Sequence, residues 1–426
     1  MKLDRRRHGW LLVGVLAAAL ALRCAAAVVW QQQLEGRFRF GDSDSYWVLA
    51  QSIVRGDPYE YGGPTARVFR MPGYPLLLAG WFTVLGDDDP PVRCVRLLGA
   101  PLGTLSVGFV YLLGKQLGGS RLGLLAAALC TVYPGAIATS IVVLSEPAFC
   151  PLLVAQLTLF VAAGRTSAAR DAVLLCALAG ALGGAATLMR PSWLLFTPLA
   201  ALMLIFCDGQ RRRRIMQGVA VIVALVVVIT PWWIRNYSVT GRFVPTTLQV
   251  GASLYDGLHP GADGSSDMAF LPNARREVRR AIGDVDRAEF EYRLDRHLRN
   301  AALDWAFAHP GDAAQLAGTK FLRLWNVWPN AEEFSSFPLR AVTAVGYLPL
   351  IVLGGFALWR GPRCRGGWWV CWLPVLYFTA LHVVFVSSLR YREPAMLAWI
   401  VLAAAAVVHL GAANDTSRSL TEQRGS

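Results

Sequence analysis

The sequence predicts an all-α polytopic membrane protein with about ten crossings. Two observations carry this. The 426 residues are 55% hydrophobic and 16% charged, with mean hydropathy +0.42; soluble domains carry about a quarter charged residues. The apolar residues also come in runs of about 20, the length that crosses a bilayer core. A soluble enzyme, a disordered chain and a disulfide scaffold are excluded. The eight cysteines lie mostly within apolar runs, without a Cys-x-x-Cys pair, and read as small buried hydrophobes.

The expected spans are Gly9–Val29, Val92–Lys115, Arg121–Thr139, Ile141–Ala163, Ala172–Met189, Ser192–Phe206, Ile215–Ile234, Ala341–Trp359, Trp368–Val386 and Met396–Ala412. Pro72–Leu85 is apolar but short and opens Pro-Gly-Tyr-Pro, so it reads as a re-entrant or interfacial helix. The first 27 residues also have the pattern of a signal peptide; the alternative favoured here is a retained first span.

The net charge is +13. A basic chain suggests nucleic acid, but the distribution does not. Lys2, Arg5–Arg7, Arg121, Arg165, Arg170, Arg211–Arg214, Arg360, Arg363 and Arg365 all fall in loops on one side of the ten spans. The positive-inside rule places that side in the cytoplasm and accounts for the excess without nucleic acid. The membrane domain is residues 1–412, followed by a cytoplasmic polar tail at 413–426. Two large regions lie outside, 35–91 and 235–340. In the second, Arg275–Asn300 reads as a solvated helix and Gly261–Ser266 as a flexible loop. The expected location is a bacterial inner (plasma) membrane.

The first outer region opens Gly41-Asp42-Ser43-Asp44-Ser45-Tyr46-Trp47. An amphipathic helix here would lie at the interface, aromatic face down. Its dipole would favour ionised carboxylates at its start, the form a general base needs. Capping is the competing role, open to Asp42 and Ser43. Arg67 and Arg70 precede Met71-Pro72-Gly73-Tyr74-Pro75 and suit a phosphate, or else anchor the chain at the interface. Glu146, in Ser145-Glu146-Pro147 near the outer end of span four, is a costly carboxylate and a functional candidate, or one half of a local ion pair with an arginine. Arg190, Arg235-Asn236 and Arg390-Tyr391-Arg392 close other spans on the same side and suggest a cavity for an anionic headgroup. Asp87-Asp88-Asp89 reads as a solvated loop, with metal binding the lesser alternative.

There is no HExxH, Walker A lysine motif or GxSxG, and the six histidines are scattered, so no metal site can be drawn. With no ATP site, chemistry on the outer side needs a pre-activated donor. A lipid-phosphate-linked sugar meets that need. No cofactor is required by this reading, and a divalent cation stays open.

Five motifs in order carry a family resemblance: Asp42-x-x-x-Tyr46-x-x-x-Ala50, Arg70-x-Pro72-Gly73-Tyr74-Pro75, Ser145-Glu146-Pro147, Pro231-Trp232-x-x-Arg235-Asn236 with Gly241-x-Phe243-Val244-Pro245, and Arg390-Tyr391-Arg392-x-Pro394. On these the chain resembles the GT-C glycosyltransferases of the protein mannosyltransferase and aminoarabinose transferase type. The resemblance covers roughly residues 1–412. It implies transfer of a sugar, usually with inversion, from a polyprenyl-phosphate donor on the extracytoplasmic side. It implies that Asp42 is the catalytic base, with Asp44 second choice, that Glu146 orders the acceptor or the cavity, and that Arg70 contacts the donor phosphate. Arg235 and Arg390 or Arg392 are weaker phosphate candidates; Tyr46, Arg67, Tyr74, Arg190 and Asn236 complete the substrate-binding set. Many relatives carry a further soluble domain, so 235–340 is the candidate here for recognising a lipid, glycan or protein acceptor. Membrane lipids are the other expected partners. Two other functions compete. A transporter or flippase of a lipid-linked sugar needs charges near the bilayer midplane, and a glycan polymerase or ligase would not be expected to carry an acid after span one.

Overall fold

The computed structural model describes residues 2–34, 37–63, 65–207, 209–282, 287–329, 336–360 and 367–424. Among them there is no strand. The helices are α1 (Lys2–Gln32), α2 (Gly41–Arg55), α3 (Gly73–Leu85), α4 (Val92–Gly118), α5 (Ser120–Val132), α6 (Pro134–Ile141), α7 (Glu146–Arg165), α8 (Ala169–Met189), α9 (Phe196–Phe206), α10 (Arg211–Thr240), α11 (Val250–Gly257), α12 (Leu271–Ile282), α13 (Arg287–Ala308), α14 (Pro310–Leu324), α15 (Phe337–Arg360), α16 (Trp369–Val384) and α17 (Leu389–Arg424). The expected basic residues Arg363 and Arg365, residues 283–286 of the Arg275–Asn300 stretch, and the last two residues of the tail lie outside the described residues. The remainder of the expected tail continues α17 as far as Arg424.

The chain is a multi-pass integral membrane protein. Seven helices, α1, α4, α7, α8, α10, α15 and the first part of α17, are long and apolar enough to cross a membrane. The α5–α6 pair, bent by 62°, makes an eighth if taken as one span. The expected third span is this pair, broken where Pro134 opens α6. The expected sixth and ninth spans are shorter apolar helices, Pro191–Phe206 and Trp369–Val384. The fourth span begins later than periodicity suggests. Val142 is extended and the helix starts at Glu146, with Pro147 in the first turn, where its missing N–H costs no intrahelical bond.

Small residues let these helices approach. A Cβ on Gly180 of α8 would lie 2.2 Å from the Val221 carbonyl oxygen of α10. A Cβ on Gly99 of α4 would meet the Ser140 carbonyl oxygen at 1.9 Å. The first helix is part of the same core. Its fully buried Arg23 donates to Ser140 Oγ at 3.2 Å and to the carbonyls of Ala19 and Cys130. Arg96 of α4 donates to Gln31 at 2.9 Å and to the Ile141 carbonyl at 3.0 Å, tying the end of α1 to the break before α7.

The outer regions depart from expectation in four places. The aromatic face of α2 is not turned to lipid. Tyr46, Trp47 and Ala50 pack with Tyr74, Leu78 and Phe82 of α3, Tyr46 edge-on to Tyr74 at 5.2 Å, because a second apolar helix is closer than the bilayer. The aspartate run is not merely solvated. Asp89 accepts from Trp47 Nε1 at 2.7 Å and pairs with Arg37, and Asp88 pairs with Arg55, so the run fastens the start of the first outer region. The Arg275–Asn300 stretch is two helices, α12 and α13, and is not wholly solvated. Glu291 and Asp295 are buried and accept backbone N–H groups from other segments. The Gly261–Ser266 loop is tied down as well: the Gly264 carbonyl accepts from Ser387 N at 2.9 Å, and Ser266 donates to Asp256 at 2.7 Å.

The close helix contacts give a stability test. Gly180→Ala must push α8 from α10 and should cost about 1–3 kcal/mol, the usual range for overpacking. Gly80→Ala, at an exposed α3 position with nothing within 4 Å, should be neutral or stabilising by up to about 1 kcal/mol. Thermal unfolding of the two variants in detergent compares them directly; equal melting temperatures would remove the packing role given to Gly180.

Candidate active site

Helix ends build the site. Asp42 lies in the first turn of α2 and Glu146 in the first turn of α7, where the dipole favours negative charge. Arg190 stands just past the C-terminus of α8, where it favours positive charge. Arg390 lies in the first turn of α17, an unfavourable end for a cation, so it depends on carboxylate partners. It has two: Arg390 Nη2 is 3.3 Å from Asp42 Oδ2, and Arg390 Nε is 3.2 Å from Glu146 Oε1. Arg190 Nη1 pairs with the same Glu146 oxygen at 2.6 Å. Arg70 Nη2 pairs with Asp42 Oδ1 at 2.6 Å.

Arg70 is held by its own side chain and by the strap that carries it. Its Nε donates to Ser45 Oγ at 2.9 Å and its Nη1 to Gln249 Oε1 at 3.0 Å. The strap, residues 67–71, is gripped from several sides. Glu291 accepts the backbone N–H groups of Arg67 at 2.8 Å and Val68 at 3.1 Å. Arg235 donates to the Arg67 carbonyl at 2.6 Å, and Tyr59 OH to the carbonyls of Arg70 and Met71 at 3.3 Å. Leu248 N donates to the Val68 carbonyl at 2.9 Å. Val68 and Met71 are buried with Trp232, Val244 and Leu248.

The structure thus brings Asp42, Arg70, Glu146, Arg190 and Arg390 into one linked cluster. The capping role for Asp42 is set aside: no side chain caps α2, and the Asp42 carboxylate faces the two arginines. Asp44, two residues on, points about 200° away at 3.6 residues per turn; it is exposed and accepts from Tyr61 OH at 3.1 Å. The same spacing separates Arg390 from Arg392. Arg392 is buried elsewhere, donating to the Leu324 carbonyl at 3.0 Å and to that of Asn326, over the Tyr347 ring. Asn236 is also outside the cluster, donating to the carbonyls of Val244 and Thr246. Arg67 pairs with Glu60 at 2.8 Å, and Arg235 reaches the strap rather than Asp42. Tyr46 underlies Arg70 at 5.2 Å, and Tyr74 is buried behind it. Sequence reading missed Ser45, Tyr59, Gln249 and the placement of Glu291. Only Ser45, one turn from Asp42, carried a local signal.

Three guanidinium groups face two carboxylates, leaving one positive charge in excess. Burial pushes the Asp42 carboxyl up, but Arg70 and Arg390 outweigh it and hold the group below its ordinary 3.8. Asp42 remains 39% exposed at its side chain, whereas Glu146 is 2% exposed. Asp42 is therefore the carboxylate within reach of an incoming molecule. These residues make a poor site for a divalent cation, since both Asp42 oxygens and Glu146 Oε1 are paired with arginines. Among the described residues no three His, Cys, Asp or Glu side chains come together as metal ligands.

Comparison with known proteins bears on the fold. Residues 70–234 match the family model described as dolichyl-phosphate-mannose-protein mannosyltransferase. No curated protein matches the chain. Among solved structures the chain is similar to the archaeal oligosaccharyltransferase AglB from Archaeoglobus fulgidus, in complex with an inhibitory peptide and a dolichol-phosphate. The identity is 15%, over 99% of this chain and 52% of that one, with TM-score 0.58. The apo form of the A. fulgidus oligosaccharyltransferase gives 15% identity over 96% and 52%, with TM-score 0.59. ArnT from Cupriavidus metallidurans bound to undecaprenyl phosphate is more distant, with 16% identity over 94% and 78% and TM-score 0.46, too low to assign a fold. The chain spans about half the length of the oligosaccharyltransferase. It has the GT-C fold.

The strap carries a pH signature. Burial raises Glu291 from 4.5 to about 7, against the opposing pull of the two N–H groups. A raised carboxyl pKa stabilises the fold fully below about pH 4.5, and that contribution is lost as pH rises through 7. In Glu291→Gln the amide oxygen can accept the same two N–H groups without a buried charge. The stability of wild type relative to this variant should therefore fall between pH 4.5 and 7, by at most about 3 kcal/mol at 1.36 kcal/mol per unit. Thermal melts across that range test it; parallel curves would show that Glu291 does not titrate there.

Proposed function

We propose that this protein transfers a sugar from a polyprenyl-phosphate-linked donor to an acceptor hydroxyl, at the extracytoplasmic face of a bacterial inner membrane. One observation carries the reading: a partly exposed carboxylate, Asp42, is flanked by Arg70 and Arg390 in a cluster with one excess positive charge. A base and a phosphate site are thereby built from the same side chains. The GT-C fold and the mannosyltransferase family match over residues 70–234 support the donor class. The arginine-rich loops, on the opposite side of the spans, support the orientation.

In this mechanism the donor phosphate docks on the guanidinium groups of Arg70 and Arg390. Their charge, until then spent on Asp42, is shared with the phosphate. The carboxylate is released toward its ordinary basicity when the donor is in place. The acceptor hydroxyl approaches the exposed side of Asp42. Its oxygen forms a bond to the anomeric carbon as its proton passes to Asp42. The bond from that carbon to the phosphate oxygen breaks, with its electron pair going to the phosphate. Attack opposite the leaving group gives inversion. Glu146, behind Arg390 and Arg190, acts as a positioning residue that keeps both cations aligned and charged. Arg235, Glu291 and Tyr59 position the strap. No step passes through a divalent cation, since both Asp42 oxygens are already paired with arginines. A flippase has less support, since the described acidic and basic pairs converge at one end of the helices.

Two substitutions test the assignment. Asp42→Asn keeps the size of the side chain and should lower transfer from a polyprenyl-phosphate sugar by about 10²–10⁴-fold, the usual worth of a general base; Asp44→Asn should be much milder. Loss of activity on Asp44→Asn alone would move the base by two residues. Arg70→Ala should weaken donor binding by about 10- to 150-fold, the equivalent of roughly 1.5–3 kcal/mol for a hydrogen bond to a charged group. Binding of a polyprenyl phosphate by purified protein reads this directly; unchanged affinity would leave Arg70 a structural anchor.

A further inference from the structure

Residues 235–340 read from sequence as lying outside the membrane, yet the end of α14 descends among the spans. Lys320 Nζ donates to the carbonyl of Val384, the last residue of α16, at 2.6 Å. Five residues later, Trp325 Nε1 donates to Thr379 Oγ1 at 3.2 Å. Thr379 precedes Val384 by five residues, so Trp325 lies about 7–8 Å deeper along α16 at 1.5 Å per residue. Tyr347, ten residues into the span α15, donates its OH to the Trp325 carbonyl at 3.4 Å. Trp325 packs against the apolar core of the spanning helices.

A helix that ends at this depth leaves carbonyls without water, which is tolerated only where protein supplies donors. Arg392 donates to the carbonyls of Leu324 and Asn326. The outward side of the same turn is apolar: Phe321 is 46% and Leu322 70% exposed, and Trp328 and Phe337 are exposed too. The first half of α14 is different, with Asp312 and Gln315 exposed. Polarity thus changes along one helix, and the next described helix, α15, is a membrane-crossing one.

We propose that the C-terminal half of α14 and the turn after it form a re-entrant element, with Phe321 and Leu322 in contact with lipid acyl chains. The occupant of this face is the bilayer, because its buried side is bonded to α16 and to the membrane-crossing α15 and α17. The element also bears on the site. Ser387 donates to the Lys320 carbonyl at 2.7 Å, so α14 holds the connector that leads into Arg390.

Single cysteines at Phe321, Leu322, Asp312 and Gln315 in full-length protein, with the native cysteines replaced by serine, can carry spin labels in phospholipid nanodiscs. Val345, exposed on α15, serves as the lipid-facing reference. Collision with oxygen, which partitions into lipid, is compared with collision with a water-soluble nickel chelate. The oxygen-to-nickel ratio at 321 and 322 should match that at 345 and exceed that at 312 and 315 by roughly tenfold, as for side chains buried below the headgroups. A ratio at 321 and 322 equal to that at 312 and 315 would place the turn in water and overturn the proposal. Immobile labels shielded from both reagents would mean that a second copy or another protein covers the face, and would overturn it equally.

Discussion

Arg390 is the residue on which the site depends. A cation in the first turn of a helix opposes the helix dipole, and this one is stable because two carboxylates from two other helices converge on it. Those carboxylates in turn lie at helix starts, where the dipole favours them. The ends of α2, α7, α8 and α17 are therefore pinned by one set of charges. Breaking any member leaves a partly buried charge without its partner, which costs more than the pair contributes when intact.

Around that set the structure separates reach from support. Asp42 alone of the two carboxylates is open to an incoming molecule, while Glu146 is closed behind the arginines. Arg70 is placed by a strap whose backbone is gripped by Glu291, Arg235 and Tyr59. Glu291 comes from the large outer region and Arg235 from the end of α10, so distant parts of the chain hold one guanidinium in position. Rigid support of this kind is what a reaction needs when charge must be stabilised without reorganisation.

Buried cations do structural work as well. Arg23 satisfies carbonyls and a hydroxyl inside the bundle. Arg392 and Lys320 supply donors to the carbonyl ends of α14 and α16. In each case a long basic side chain that is itself buried supplies the donor that water would give at a surface. An arginine near a span end is thus not by itself a substrate ligand; what its donors already bind decides.

Composition and periodicity alone determined that this chain crosses a membrane several times, because runs of about 20 apolar residues leave few other folds. The sequence also placed Asp42, Arg70, Glu146, Arg190 and Arg390 at one membrane face, since charges avoid the bilayer interior and collect at span ends. Sequence reading kept Asp44 beside Asp42 and Arg392 beside Arg390 as candidates, although residues two apart on a helix point about 200° from each other. What only the tertiary structure decided is which member of each pair faces inward, and what holds it there. Gln249 and Glu291 lie 179 and 224 residues from their partners Arg70 and Arg67. No local pattern encodes a hydrogen bond across such a separation. It exists because the outer helices fold back over the strap, and that packing is set by the whole chain.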